Sequence, residues 1–409
     1  MRILLVSNLF PPEVLGGYEM VACEMAQRLA GAGHEVLVVT SPLVNHAREL
    51  PEAGFAIRRS LAYSWLSWNP ACATPRHEAI DLRNILALRQ AIADFAPEQV
   101  LLFNIDGLGP LGLVVFLHEA GFEPAIYLGD NTFHNASARK EDYAAFCRLF
   151  GAERALRALH PLVVSELIVE EIEDDLGVQL TAPFYVPGWV PDDLPLPVPA
   201  PAEGPLRLVF SSRIASHKGT GILLAAARLL LDRGERNFRV DVYGAGQVAD
   251  FVQHVHAEGL AEHIRYKGMQ ERAAMIGAFA RYEALLFPTR LHEPLGLVPF
   301  EAAAQGCIPV MTAQIGAAEW LTAADCLKIE RTPEALAEAI QRLLAMPPGE
   351  RAAWRRRIAR RVRQDFGAGL WLDRIERRLR ALPPRRQALA PQKIQNALFA
   401  IVRVGGLTA

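Results

Sequence analysis

The sequence predicts two doubly wound α/β domains, each a parallel sheet covered by helices on both faces. Short, fully apolar runs recur with helix-length spacers, a proline-rich stretch interrupts them near the middle, and the same alternation restarts beyond it. A chain of 409 residues, 51% hydrophobic and 22% charged, exceeds one ordinary core and excludes a disordered or fibrous protein. No apolar stretch approaches the roughly 20 residues of a membrane span.

Taken in order, Ile3 to Val6 is an apolar run, a glycine-bearing loop follows, Val21, Met25 and Leu29 recur at helical spacing, and Val36 to Val39 is apolar again. This is a β-loop-α-β unit, and Asn8 with Pro11-Pro12 directly after the first run make it a strand rather than a secretion signal. Further strands are expected at Val100 to Phe103, Ala125 to Leu128, Leu162 to Val164 and Phe184 to Val186, with a helix over Glu166 to Leu176. Seven prolines between Pro187 and Pro205 suit a stiff extended connector, so the boundary is placed there: domain one over 1–190, a linker over 191–205, domain two over 206–365. Beyond it, strands are expected at Leu206 to Phe210, Val240 to Tyr243, Ile264 to Tyr266, Ala284 to Phe287 and Ile308 to Val310. Helices are expected over about Gly219 to Leu231 and Gly296 to Gln305, and, after Pro333, over Ala352 to Val362 and Trp371 to Leu382.

The net charge of −2 hides an asymmetry: residues 350–409 hold 15 basic and four acidic side chains, net +11, leaving −13 on residues 1–349. No nucleic-acid motif accompanies the basic tail, so no nucleic-acid partner is expected. The five cysteines are scattered without a C-x-x-C pair, which indicates neither a disulfide framework nor a zinc site, and a cytoplasmic location follows.

Chemistry concentrates in three places. In SSRIASHKGT, Arg213 stands at a strand end, and Lys218 precedes Gly219 and a helix, so two cations and a helix N-terminus converge where phosphates bind. In TRLHEPLGLVPFEAAAQGCIPV, Glu293 lies in a loop, Gly296 opens a helix whose first N–H groups, on Gly296, Leu297 and Val298, face outward, and Glu301 follows eight residues after Glu293. A carboxylate there is suited to a ribose diol. GAGQVA at Gly244 to Ala249 satisfies G-x-G-x-x-A, the signature of a dinucleotide site, but the next expected strand ends in Lys267 where that signature requires an acid. His217 and His292 lack metal-ligand spacing, and Tyr63, Trp65 and Trp68 are read as packing residues with a carbohydrate surface as the alternative.

Over nearly its full length the chain resembles a retaining GT-B glycosyltransferase of family 4. The resemblance rests on PPEVLGGYEMVACEMAQRLAGAGHEV, on SSRIASHKG with Arg213 and Lys218, and on the E-x7-E of Glu293 and Glu301. It implies two Rossmann-like domains facing a central cleft, with the C-terminal helix, about 366–409, completing the first domain. It further implies a nucleotide-diphosphate sugar (UDP-, GDP- or ADP-) held by the second domain and a hydroxyl acceptor held by the first. By the same analogy Arg213 and Lys218 neutralise the diphosphate, Gly244 lies near the nucleotide, Glu301 takes the ribose and Glu293 lies by the donor sugar. The Gly16-Gly17 loop reaches the phosphates. Relatives carry a histidine after a middle strand of the first domain; here AIYL is followed by Gly129-Asp130-Asn131, making Asp130 the candidate for that place, with a turn cap as the equal alternative. No D-x-D triplet occurs, and no metal or other cofactor is expected. The rival readings are an epimerase or phosphorylase of the same fold, an NAD-dependent oxidoreductase resting on Gly244 and Gly246, and a catalytically silent binding protein. For the basic tail, a helix crossing onto the acidic first domain and peripheral contact with a membrane through residues 385–404 are the two alternatives.

Overall fold

In the computed structural model, residues 1–44, 54–63, 79–138, 140–194, 197, 204–291 and 293–386 are described. Trp65, Trp68, Cys72, His292 and nearly all of the stretch 385–404 lie outside them. The chain divides into two compact units, Met1–Val186 with Leu372–Ala409, and Pro187–Trp371.

The first unit is built on strands β1 (Arg2–Val6), β2 (Glu35–Thr40), β3 (Ala56–Arg59), β4 (Gln99–Leu102), β5 (Ala125–Leu128), β6 (His160–Val163) and β7 (Phe184–Tyr185). All pair in parallel in the order β3-β2-β1-β4-β5-β6-β7, so the order reverses direction between β1 and β4. Val6 is in register with Val39 on one side and Leu102 on the other. Ile3, Leu4, Leu5 and Val6 are wholly buried, as a strand with helices on both faces requires. The helix Glu166–Leu176 starts where Ser165 accepts from the Ile168 N–H at 3.3 Å and stops at Gly177 in the left-handed region, the stop signal expected of glycine.

The second unit carries β8 (Leu206–Ser211), β9 (Phe238–Tyr243), β10 (Ile264–Tyr266), β11 (Ala284–Phe287), β12 (Ile308–Thr312) and β13 (Leu327–Ile329), again all parallel, in the order β10-β9-β8-β11-β12-β13. Its reversal lies between β8 and β11, and ligands of such sheets bind outside the carboxyl ends at these reversals. Each sheet makes a Rossmann-like, doubly wound parallel domain, as the sequence predicts. β3 and β13, at sheet edges, have no counterpart among the sequence-read strands: β3 reads AIRR, and its arginines are half-buried by pairing with Asp94 and with the Pro11 carbonyl instead of by apolar packing.

The proline-rich segment begins as packed structure. Val190 bridges Gly367, its N–H donating to the Phe366 carbonyl at 2.9 Å, and Gly188 sits against Phe300. In the helix Pro348–Asp365, Arg351 reaches Glu283 at 2.8 Å, and Arg355 donates to the carbonyls of Gly306, Ala280 and Tyr282. Arg356, Arg357 and Arg360 of this helix are exposed. The helix Ala368–Arg380 carries the chain into the first unit, where Ile375 and Leu379 are wholly buried, Asp373 pairs with Arg28, and Glu376 lies 3.0 Å from His34. Beyond it, Arg385 stacks on Phe122 and Arg386 pairs with Glu123 at 3.2 Å. Through residue 386, several basic side chains of the tail are thus engaged by acids, carbonyls and one ring of their own unit. Among the described residues no helix is long and apolar enough to cross a membrane.

Candidate active site

The site-bearing part of the second unit begins where β8 ends. Ser212 to Ile214 continue alongside the loop after β9: the Ile214 N–H donates to the Ala245 carbonyl at 2.8 Å, and the Gln247 N–H to the Ile214 carbonyl at 2.8 Å. This tight pairing explains the G-x-G without any nucleotide. A Cβ on Gly244 would lie 1.9 Å from the Ser212 carbonyl oxygen and one on Gly246 2.5 Å from that of Ile214, and both residues have positive φ. Between them Arg213 is left exposed.

Lys218 closes a short 3-10 turn, Ser216–Lys218, and Gly219 follows at φ +87°, where a Cβ would sit 1.9 Å from the Pro288 carbonyl oxygen. The His217 carbonyl accepts from the Arg290 N–H at 2.8 Å and from Thr289 Oγ1 at 3.1 Å, which ties this turn to the loop after β11. The consequence is that Lys218 Nζ donates directly to Glu293 Oε2, both side chains being largely buried. His217 beside them is held below the ordinary histidine range, first by burial and then by the positive charges of Lys218 and Arg213.

Gly296, at φ +69°, caps the helix Leu297–Ala304, whose first residues Leu297 and Val298 are half-buried. Glu301 lies in this helix, 5% exposed, and its Oε1 accepts from Arg272 Nε at 2.6 Å. The pattern of residues around Glu301 gives no hint of Arg272, which lies 29 positions earlier at the start of the helix Arg272–Phe279.

Gly16, Gly17 and Asp130 belong to the first unit. Gly16 caps the helix Gly17–Gly31 in extended backbone, and the buried Glu19 carboxylate accepts from its N–H at 3.0 Å. Burial pushes the Glu19 carboxyl up, opposed by that hydrogen bond. Asp130, in the turn after β5, is exposed, and its Oδ1 accepts from the Asn131 N–H at 2.8 Å. Tyr18, also unremarked in the sequence, fixes this turn: its hydroxyl donates to the Tyr127 carbonyl and accepts from the Gly129 N–H at 3.1 Å. His134, Glu171 and Asp175 bring three metal-type donors within 4.8 Å of one another. They are already engaged: Asp175 lies 2.8 Å from His134 and accepts from Asn131 at 2.9 Å, and Asn131 also reaches Glu171 at 3.3 Å, so we assign no metal there.

The expected residues therefore fall into two groups, Arg213, Lys218, Gly244, Glu293, Gly296, Leu297, Val298 and Glu301 in one unit and Gly16, Gly17 and Asp130 in the other. Residues 197–361 match the family model described as Glycosyl transferases group 1, so the second unit carries a domain of that type. No curated protein matches the chain in a sequence search. Among solved structures, sucrose-phosphate synthase from Thermosynechococcus elongatus is similar with a TM-score of 0.73 at 18% identity, covering 93% of this chain and 98% of that one. A glycosyltransferase from Rickettsia africae is similar at 0.67 and 16% identity, covering 93% and 97%. HepE of Anabaena, solved in complex with UDP-glucose, is similar at 0.68 and 15% identity, covering 93% and 100%.

Proposed function

We propose that the protein is a retaining, family 4-type glycosyltransferase that moves a hexosyl group from a nucleotide-diphosphate sugar to a hydroxyl acceptor. The observation that carries this is the meeting of Lys218 with Glu293, and the placing of Glu301 one helix away, at the carboxyl edge of the second sheet and inside the segment that matches the glycosyl transferase family model. Breaking the bond between sugar and phosphate builds negative charge on the leaving diphosphate and positive charge on the sugar ring. Arg213, Lys218 and the N–H groups of Leu297 and Val298 are preorganised donors for the first, and Glu293 is an anion for the second. When a diphosphate enters, Lys218 exchanges part of its bond with Glu293 for phosphate oxygens, leaving the carboxylate to the sugar. Glu301 takes the ribose hydroxyls, and the loop of Gly244 lies near the nucleotide. Asp130, Gly16 and Gly17 of the first unit are assigned to the reaction by the family resemblance alone. In this reading the fixed cations do the work of a metal, so turnover persists in a chelator. Peripheral contact with an anionic membrane through the basic tail over 385–404 is the alternative use of that segment for a lipid-linked acceptor, and vesicle binding lost on truncation after Leu382 is its test.

Calorimetry decides the site: wild-type donor affinity in both Lys218→Ala and Glu301→Ala sinks the assignment. Product analysis decides the reaction. Transfer to an added hydroxyl acceptor with the donor's anomeric configuration kept supports it, whereas isomerised donor or phosphorolysis points to an epimerase or phosphorylase. An NAD-dependent oxidoreductase is disfavoured because the Ser212 and Ile214 carbonyls already account for Gly244 and Gly246.

A further inference from the structure

We infer that Arg272 is a positioning residue for the ribose end of the donor: it holds the Glu301 carboxylate in the orientation from which that group accepts a 2′,3′-diol. This rests on the ribose role proposed for Glu301. The carboxylate is nearly buried, its side chain 6% exposed, and one of its oxygens takes the Arg272 Nε–H at 2.6 Å. A buried carboxylate needs such a partner to remain charged. The planar guanidinium also restricts the carboxylate's rotation, which a lysine ammonium on its flexible stem does less well.

The placement of Arg272 makes it more than a neutralising charge. The loop that leads into its helix is fastened to the glycine loop after β9, the Gly244 N–H donating to the Gly268 carbonyl at 3.1 Å and Tyr266 Oη to the Gly244 carbonyl at 2.9 Å. Arg272 therefore links the glycine loop expected beside the nucleotide to the helix that carries the expected ribose acid. A change in that link alters where the carboxylate stands relative to the nucleotide.

The test compares whichever of UDP, GDP and ADP binds the wild type with its 2′-deoxy and 3′-deoxy forms by titration calorimetry. Wild type should prefer the ribonucleotide by about tenfold or more, the contribution of hydrogen bonds to a charged acceptor. Arg272→Met should reduce that preference to about threefold or less while affinity for the deoxy forms stays within about twofold, because only the diol contact is lost. Glu301→Gln should lose the preference as well, and the double variant should lose no more than Glu301→Gln alone. Where Arg272→Met does not fold, Arg272→Lys keeps the charge without the fork and must still lower the preference about threefold. A preference retained in Arg272→Met, or an equal loss for all three nucleotides, overturns the inference. If Glu301→Gln nevertheless loses the preference, the ribose role of Glu301 survives and Arg272 alone is misassigned. A wild type that binds no nucleotide, or binds the deoxy forms equally, defeats the ribose reading and the inference together.

Discussion

The glycine loop that opens the first unit and the two glycine-bearing loops after β8 and β9 of the second differ physically. In the second unit Gly219, Gly244 and Gly246 all have positive φ and stand where a Cβ would collide with backbone. In the first unit Gly16 has φ −164°, which any residue adopts, and a Cβ there meets nothing within 4 Å. The second unit's glycines are demands of the fold, whereas nothing in the folded first unit demands glycine at 16. Substitution should therefore separate stability from activity between the two units.

The largest effect is expected at Gly219. Alanine there combines a left-handed backbone with a Cβ 1.9 Å from the Pro288 oxygen. Together these should cost about 3 kcal/mol or more. Denaturant unfolding followed separately in the two units would read this as a lowered midpoint for the second, and an unchanged midpoint would break the comparison at its strongest point. Lys218→Ala should behave differently although it is the adjacent residue. It leaves the largely buried Glu293 without its lysine, costing about 1–2 kcal/mol of stability, but should weaken nucleoside diphosphate binding by about tenfold or more. A stability loss as large as that of Gly219→Ala, with affinity intact, would make Lys218 a purely structural residue.

Gly16→Ala is the converse case. With an extended backbone and open space, the entropy gained from the unfolded chain is opposed by alanine being a poorer N-cap than glycine, so its unfolding free energy should change by no more than about 1 kcal/mol. If the glycine serves a ligand, turnover falls while stability holds. A stability loss approaching that of Gly219→Ala would erase the distinction between the loops.

These contrasts also show which parts of the molecule can be read in a sequence. The central strands are legible because burial on both faces demands unbroken apolar runs such as Ile3 to Val6 and Ala284 to Phe287. The edge strand β3 is not, because its arginines satisfy themselves on Asp94 and on loop carbonyls, an arrangement with no sequence period. Lys218, Glu293 and Glu301 are legible through a motif with definite spacing. Arg272 is hidden because its partner lies 29 residues on and in another helix. The G-x-G after β9 is legible as a loop and ambiguous as chemistry. Only the approach of the Ser212 and Ile214 carbonyls shows that the fold already requires both glycines.

The smallest expected effect compares two histidines, one in each unit. Both His217 and His118 are held below the ordinary histidine range, with burial as the first cause in each. Their charged neighbours differ. For His217 the second cause is the charge of Lys218 and then Arg213, opposed by Glu293, while for His118 it is Arg386 and Arg154, opposed by Glu119 and Glu123. A folded-state value below the unfolded one means that the unfolded chain binds more protons as pH falls through the histidine range, so both residues make the protein less stable on acidification and neither contributes at high pH. The proposed diphosphate adds negative charge beside Lys218 and Arg213 only. Nucleoside diphosphate should therefore raise the His217 titration midpoint in an NMR titration and leave His118 where it was, and Lys218→Met should raise His217 without any ligand. A ligand that moves both histidines, or moves His118 alone, would place the anion in the wrong unit.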